Sequence, residues 1–169
     1  MLKSLLLSPT TKRHIERRIL ITDAMHLYRI IKDVDRYQEF IPLCSHSKVL
    51  RRSDDGRYFD ATLTVGYPPL FTESYISRVH ADLENLSVTA ESIKSNHIDS
   101  LKSKFALKNV SSPDEKRVQV DFQVEITVSD PIIAQALDQF LEDVAGRQVE
   151  AFDKRCSEIP METSGDDTT

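Results

Sequence analysis

An α+β fold, an antiparallel sheet with helices over one of its faces, is what the sequence predicts, on three observations. Apolar and polar residues alternate with period two in six successive runs between Ser47 and Val128, the pattern of strands with one buried face. Short turn sequences separate the runs, which joins them into an antiparallel meander. An Asp130-Pro131 pair then opens a long helical segment, with the aspartate as N-cap and the proline at the first helical position.

The elements follow in order. Residues 15–21, IERRILI, read as a first strand. Thr22 and Asp23 are candidate N-caps for a helix on which Leu27, Ile30, Ile31 and Val34 fall at i, i+3, i+4 and i+7. A short helical turn through Tyr37, Phe40 and Ile41 stops at Pro42, because the residue before a proline resists the α region. Phe59, Ala61, Leu63 and Val65 make the apolar side of one strand, against Tyr58, Asp60, Thr62 and Thr64 on the polar side. The alternation returns in Leu86, Val88 and Ala90, in Leu101, Ser103, Phe105 and Leu107, and in Val118, Val120, Phe122, Val124, Ile126 and Val128. Asp54-Asp55-Gly56, Glu84-Asn85 and Ser111-Ser112-Pro113-Asp114 supply the turns. On the last helix Leu137, Phe140, Leu141 and Val144 form the apolar stripe, continued by Gln148 or Val149 and by Phe152. Running to about Cys156, that helix would be about 39 Å long. Gly146 inside it is expected to permit a close approach to the sheet or a bend.

Composition narrows the function. The 169 residues make one domain, and 40% hydrophobic with 29% charged residues is the balance of a globular protein rather than a disordered one. No apolar run reaches the roughly 20 residues of a membrane-spanning helix, so membrane association is expected to be peripheral. Cys44 and Cys156 make no disulfide framework, the five histidines show no ligand spacing, and no metal site is expected. A net charge of −5 without a basic aromatic groove argues against nucleic acid as a partner. Residues 1–14 read as a targeting segment or a disordered N-terminus, being basic, rich in hydroxyls and poor in acids. Residues 15–156 form the domain, and residues 157–169, with four acids and no base, read as a disordered acidic tail.

Two segments carry a family signal: YRIIKDVDRYQEFIPLC at residues 28–44 and GYPPLFTESYISRV at residues 66–79. In the second, Pro68 and Pro69 must end one strand before the next begins, leaving Tyr67, Leu70 and Phe71 at a turn with their apolar side chains on offer. With the order of elements, these segments resemble the mitochondrial coenzyme Q-binding proteins of the START-like polyketide cyclase superfamily. The resemblance implies a helix-grip fold, a curved antiparallel sheet wrapped around a long C-terminal helix with an apolar cavity between them. It also implies ubiquinone as the bound ligand, peripheral contact with the matrix side of the mitochondrial inner membrane, and a role as a quinone chaperone or carrier beside quinone-biosynthetic or respiratory proteins. Relatives often carry tryptophan where this chain has Leu43 and Phe105, a departure that bears on pocket shape.

The expected ligand wall consists of Leu63, Val65, Tyr75, Phe105, Phe122, Val124, Leu137, Phe140, Leu141 and Val144. Tyr67, Pro68, Pro69, Leu70 and Phe71 are the expected entrance and membrane contact. None of the inward apolar positions is ionisable, so no catalytic residue is assigned. Glu73, Tyr75 and Arg78 are the exceptions to watch, because the prolines leave open which face of their strand turns inward; Tyr75, Ser77 or Arg78 could donate to a quinone carbonyl. Lys102, Lys104 and Lys108 share a polar face that is either solvated or set against anionic lipid. The competing functions are a cyclase or dehydratase of the same fold, and a ribosome-directed toxin like bacterial relatives.

Overall fold

The computed structural model describes residues 8–67 and 71–162. The chain runs through β1 (Thr10–Leu20), α1 (Ala24–Lys32), a 3-10 turn (Val34–Arg36), α2 (Tyr37–Phe40), β2 (Cys44–Arg52), β3 (Tyr58–Tyr67), β4 (Phe71–Asp82), β5 (Ser87–Lys94), β6 (Ser100–Asn109), β7 (Val118–Val128) and α3 (Pro131–Glu158). The seven strands among the described residues form one antiparallel sheet in the order β1-β7-β6-β5-β4-β3-β2. The six-run meander is β2 to β7, and β1 closes its far edge by pairing with β7 from Thr10↔Val128 to Leu20↔Val118.

Both helix starts use the aspartates that the sequence offers. Asp23 accepts hydrogen bonds from the Met25 and His26 amides, and Asp130 from those of Ile132 and Ile133. Each such cap is worth about 1 kcal/mol. The Asp54-Asp55-Gly56 turn needs its glycine, whose φ is +68°.

Three boundaries and one face differ from expectation. β1 begins at Thr10 rather than Ile15, so residues 10–14 belong to the domain. Its inward residues are Lys12, His14, Glu16 and Arg18, and an edge strand with a charged inner side shows no apolar alternation to mark its start. α3 continues to Glu158, past the expected start of the tail, and Glu162 beyond it pairs with Arg29 at 3.3 Å. Tyr67 and Phe71 are paired terminal residues of β3 and β4 rather than free turn residues; their side chains, and Pro68, Pro69 and Leu70 altogether, lie outside the described residues. On α3, Phe140 is 57% exposed and does not belong to the buried stripe. That stripe is Ala134, Ala145, Val149, Phe152 and Cys156, with Leu141 packed beside it. Small residues let the helix approach closely, so they define its buried side although they add little to an apolar pattern. Gly146 belongs to the same surface: a Cβ there would stand 3.2 Å from the Arg18 guanidinium on β1.

The core gathers at the end of the sheet where α1, α2 and the second half of α3 meet. Phe152 is 1% exposed and meets the rings of Tyr37, Phe40 and Phe105 edge-on at 5.5, 5.3 and 5.2 Å, while Phe105 stacks on Phe122 at 4.4 Å. Such aromatic contacts add about 0.5–1.5 kcal/mol each beyond area burial.

The outer face of the sheet carries one charged residue per strand in a continuous register: Arg51, Asp60, Arg78, Glu91, Lys102, Glu125 and Arg13. The signs alternate across all seven strands. Asp60 receives both Arg51 and Arg78, the Arg78 hydrogen bond being the chief reason that its carboxyl sits below the ordinary carboxylate range. Lys102 lies 3.8 Å from Glu91, so it is a rung of this ladder rather than a free cation.

Candidate functional site

The parity of β4 settles which side of the double-proline strand turns inward. Ala61 on β3 is fully buried and pairs with Ser77, so Glu73, Tyr75, Ser77 and Val79 face the helices. Arg78 faces outward, onto Asp60. Inside, the sheet presents successive rows: Val65 and Glu73 at the hairpin end, then Leu63 and Tyr75, then Ala61, Ser77 and Ser92, then Phe59, Val79, Ala90, Ser103 and Val124. The row beyond holds Phe105 and Phe122 and belongs to the aromatic core. From Glu73 to Ser77 is four residues, about 13 Å along the strand.

α3 does not cover these rows evenly. Against the sheet it packs chiefly on β1 and β7, and it also packs on α1. Val65, Tyr75, Leu101, Ile126 and Leu141 are only partly buried against the core, while Val128 and Ala134, both buried, lie outside the main core cluster. The arrangement leaves an apolar strip, a shallow cleft on the inner face of β3 to β7 that the first half of α3 covers only in part and the aromatic core bounds at one end.

The expected ligand wall divides along this cleft. Leu63, Val65, Tyr75, Val124 and Leu141 come together around it, and Leu137 and Val144 are half-buried on the helix. Phe105 and Phe122 form its closed floor, where they contact one another and Phe105 contacts Phe152. Phe140, being mostly exposed, stands apart. At the hairpin end the Gly66 amide donates to the Leu43 carbonyl at 2.9 Å. That bond sets Leu43, 42% exposed and with φ of +63°, beside the tip of the β3–β4 hairpin.

Charged groups border the cleft, and they are committed to one another. Glu73 is 1% exposed. Its carboxylate accepts from Ser95 Oγ at 2.7 Å and from the Asn96 and His97 amides at 2.8 and 3.3 Å, and contacts His97 Nδ1 at 2.6 Å. Burial pushes its pKa up, but these hydrogen bonds outweigh burial and hold it below the ordinary value. Along β1, Lys12 pairs with Asp138 of α3 at 2.5 Å, and Glu16 is shared by His14 and Arg18 at 3.2 and 2.7 Å. The two thiols are buried; burial raises that of Cys44 and takes that of Cys156 to about 11, so both stay protonated and unreactive near neutrality. Among the described residues no cluster of histidine, cysteine and carboxylate side chains has the geometry to hold a metal.

Tyr75 is a donor held in its neutral form, because burial pushes its phenol well above the usual range. Its hydroxyl makes no hydrogen bond among the described residues. Ser92 and Ser103, which the sequence reading did not single out, also turn inward; their signal was the polar residue within an otherwise apolar run. A separate groove of about 590 Å³, lined by Tyr58, Arg78, His80, Lys102 and Lys104 among others, involves the outer face.

Comparison with known proteins agrees with this architecture. Residues 22–153 match the family described as polyketide cyclase/dehydrase and lipid transport. The mitochondrial coenzyme Q-binding protein of Dictyostelium discoideum is 27% identical over 133 residues, 79% of this chain and 63% of its own length. Its counterpart in Schizosaccharomyces pombe is 32% identical over 100 residues, 59% of this chain and 58% of its own. The chain thus spans somewhat under two thirds of the coenzyme Q-binding relatives that it matches. The ribosome association toxin of Pseudomonas aeruginosa is 27% identical over 86% of this chain and 96% of its own length. Among solved structures, the Zhui aromatase/cyclase of a Streptomyces species superposes with a TM-score of 0.76 at 13% identity, over 88% of this chain and 95% of that one, and shares the fold alone. With a helix-grip architecture and a family match across most of its length, this chain belongs to the polyketide cyclase/dehydrase and lipid transport family.

Proposed function

We propose that the protein binds ubiquinone in the cleft and carries or shelters it, without chemical turnover, at the matrix side of the mitochondrial inner membrane. The observation that carries this reading is the apolar cleft itself, left half-covered by α3 and floored by aromatic core. Burying a methylene is worth about 0.8 kcal/mol relative to water, so such a surface favours a long hydrocarbon. That gain nearly cancels when the tail leaves a bilayer of equal apolarity, as reversible carriage requires. The names of the coenzyme Q-binding relatives support the ligand and the compartment. A supporting role in respiratory electron transport and quinone biosynthesis, beside proteins of those systems, follows from the same reading. Exchange with the membrane would pass the β3–β4 hairpin tip, Tyr67 to Phe71, next to exposed Leu43.

Extraction of the purified protein with organic solvent, followed by mass spectrometry, tests this. Ubiquinone is expected in the wild type and lost from a Leu63→Asp variant that keeps its circular dichroism. A folded Leu63→Asp protein with undiminished quinone would remove the cleft as the site.

One observation favours a second reading. The His14–Glu16 pair at 3.2 Å stands beside Val124 at the border of the cleft, an acid–base pair that a cyclase could use. Turnover of a polyketide-type substrate by the wild type, abolished in His14→Ala, would move the function to catalysis.

A further inference from the structure

The cleft has a polar patch that its apolar walls do not explain. Ser77 on β4 stands opposite Ser92 on β5, and directly opposed side chains start about 4.5–5.5 Å apart. Tyr75 lies two residues from Ser77 on the same face, and Ser103 is the inward residue of β6 opposite Ala90. Four hydroxyl-bearing residues from three adjacent strands therefore stand on neighbouring inward rows above the aromatic floor, with the Tyr75 phenol toward Tyr37 and Cys44.

Two of them are held in a manner that points to a ligand. Ser77 is 4% exposed, and its hydroxyl makes no hydrogen bond among the described residues. It is not sealed in protein either, since the fully enclosed side-chain polar atom without a partner among the described residues is Arg155 Nε. The Ser77 hydroxyl thus keeps a little accessible surface on the inner face of β4. Ser92 is fixed by a break in the sheet: β5 and β6 pair only as far as Glu91↔Lys102, and the Leu101 amide bonds to Ser92 Oγ at 2.9 Å instead of to β5 backbone. The hydroxyl oxygen is used as acceptor, which leaves its proton to donate. A depression of about 440 Å³, lined by Ser92, Ser95 and Asn96 among others, opens where the two strands part.

The four residues are neutral donors, and Lys12, His14, Glu16 and Glu73 at the border are already partnered, while Lys94 and Asp99 line the depression outside. A charged lipid head group would enter without a counter-ion, at high cost. A neutral ring bearing acceptor oxygens suits the donors. We propose that Tyr75, Ser77, Ser92 and Ser103 form the head-group site, donating hydrogen bonds to the carbonyl oxygens of a quinone ring that enters first and rests on Phe105 and Phe122. This assignment rests on the reading of the ligand as a lipid quinone.

Infrared difference spectroscopy of a short-tailed ubiquinone analogue, isotope-labelled at its carbonyl carbons and bound to the full chain, tests the site. The wild type should shift the carbonyl stretch to lower wavenumber than the same quinone shows in detergent. Tyr75→Phe and Ser77→Ala should each reverse part of that shift and weaken binding about fivefold, the effect of one neutral hydrogen bond. An alkylbenzene with the same tail and no carbonyls should bind wild type and variants alike, which separates loss of a donor from loss of shape. Quinone bound with an unshifted stretch, or variants indistinguishable from wild type in stretch and affinity, would overturn the head-group site while leaving quinone binding intact. No quinone bound by the wild type would overturn both.

Discussion

Glu73 ties the loop between β5 and β6 to the inner face of β4 through hydrogen bonds from Ser95, Asn96 and His97. A carboxylate whose folded pKa is depressed contributes stability that is present above its unfolded value and lost as pH falls through the folded one. Glu73 is in that position, because its hydrogen bonds outweigh its burial. The Asn96 and His97 amides should therefore show hydrogen-exchange protection at neutral pH that disappears below the ordinary carboxylate range. Glu73→Gln should weaken that protection at neutral pH as well, since a neutral amide oxygen accepts the three hydrogen bonds to Oε1 more weakly than a carboxylate does. Protection unchanged in Glu73→Gln would mean that the loop is held by its strands alone. The sequence placed Glu73 among the residues to watch, but only the pairing of Ser77 with fully buried Ala61 decides its face.

At the scale of elements, the β3–β4 hairpin and α3 show what a periodic pattern can and cannot reveal. Alternation located β3, β6 and β7 most clearly because each has one face in water and one in the core. It could not locate the first turns of β1, where the inward residues are Lys12, His14, Glu16 and Arg18 and the exposed ones include Ile15 and Ile19. Nor could it orient α3, whose contact is made by Ala134, Ala145 and Gly146 while Phe140 faces solvent: bulk marks an apolar stripe, but smallness permits approach. Ser92 went unread, and Ser103 was read only as part of its run, for a related reason, since a polar residue on an apolar face looks like an interruption until its neighbours across the strands are known. The hairpin's function is a matter for experiment. A Leu70→Ser, Phe71→Ser variant should exchange quinone with liposomes more slowly while its melting temperature stays close to that of the wild type. A large fall in melting temperature with unchanged exchange would assign these side chains to the core and the entrance to another edge.

Across the whole molecule, the two faces of the sheet divide the labour. The outer face pairs its charges rung by rung, from Arg51 through Asp60 and Arg78 to Glu125 and Arg13, while Lys104 and Lys108 stand beside the ladder on the same face. The inner face has one more consequence, which comes from its floor. Only about 13 Å of strand separates the hydroxyls near Ser77 from the level of Glu73. An extended isoprene unit spans roughly 5 Å, four bonds of about 1.5 Å in zigzag. On the proposed reading the cleft would enclose the ring and about two such units, and everything further along the chain would hang outside, in lipid. Such a protein has no ruler. Quinones with short and long polyprenyl chains, presented in the same liposomes, should compete for it on nearly equal terms once they exceed that length. A steep preference for one chain length would instead require a tunnel that continues past the hairpin. Organisms that make quinones of different sizes could then share one carrier design without altering its interior.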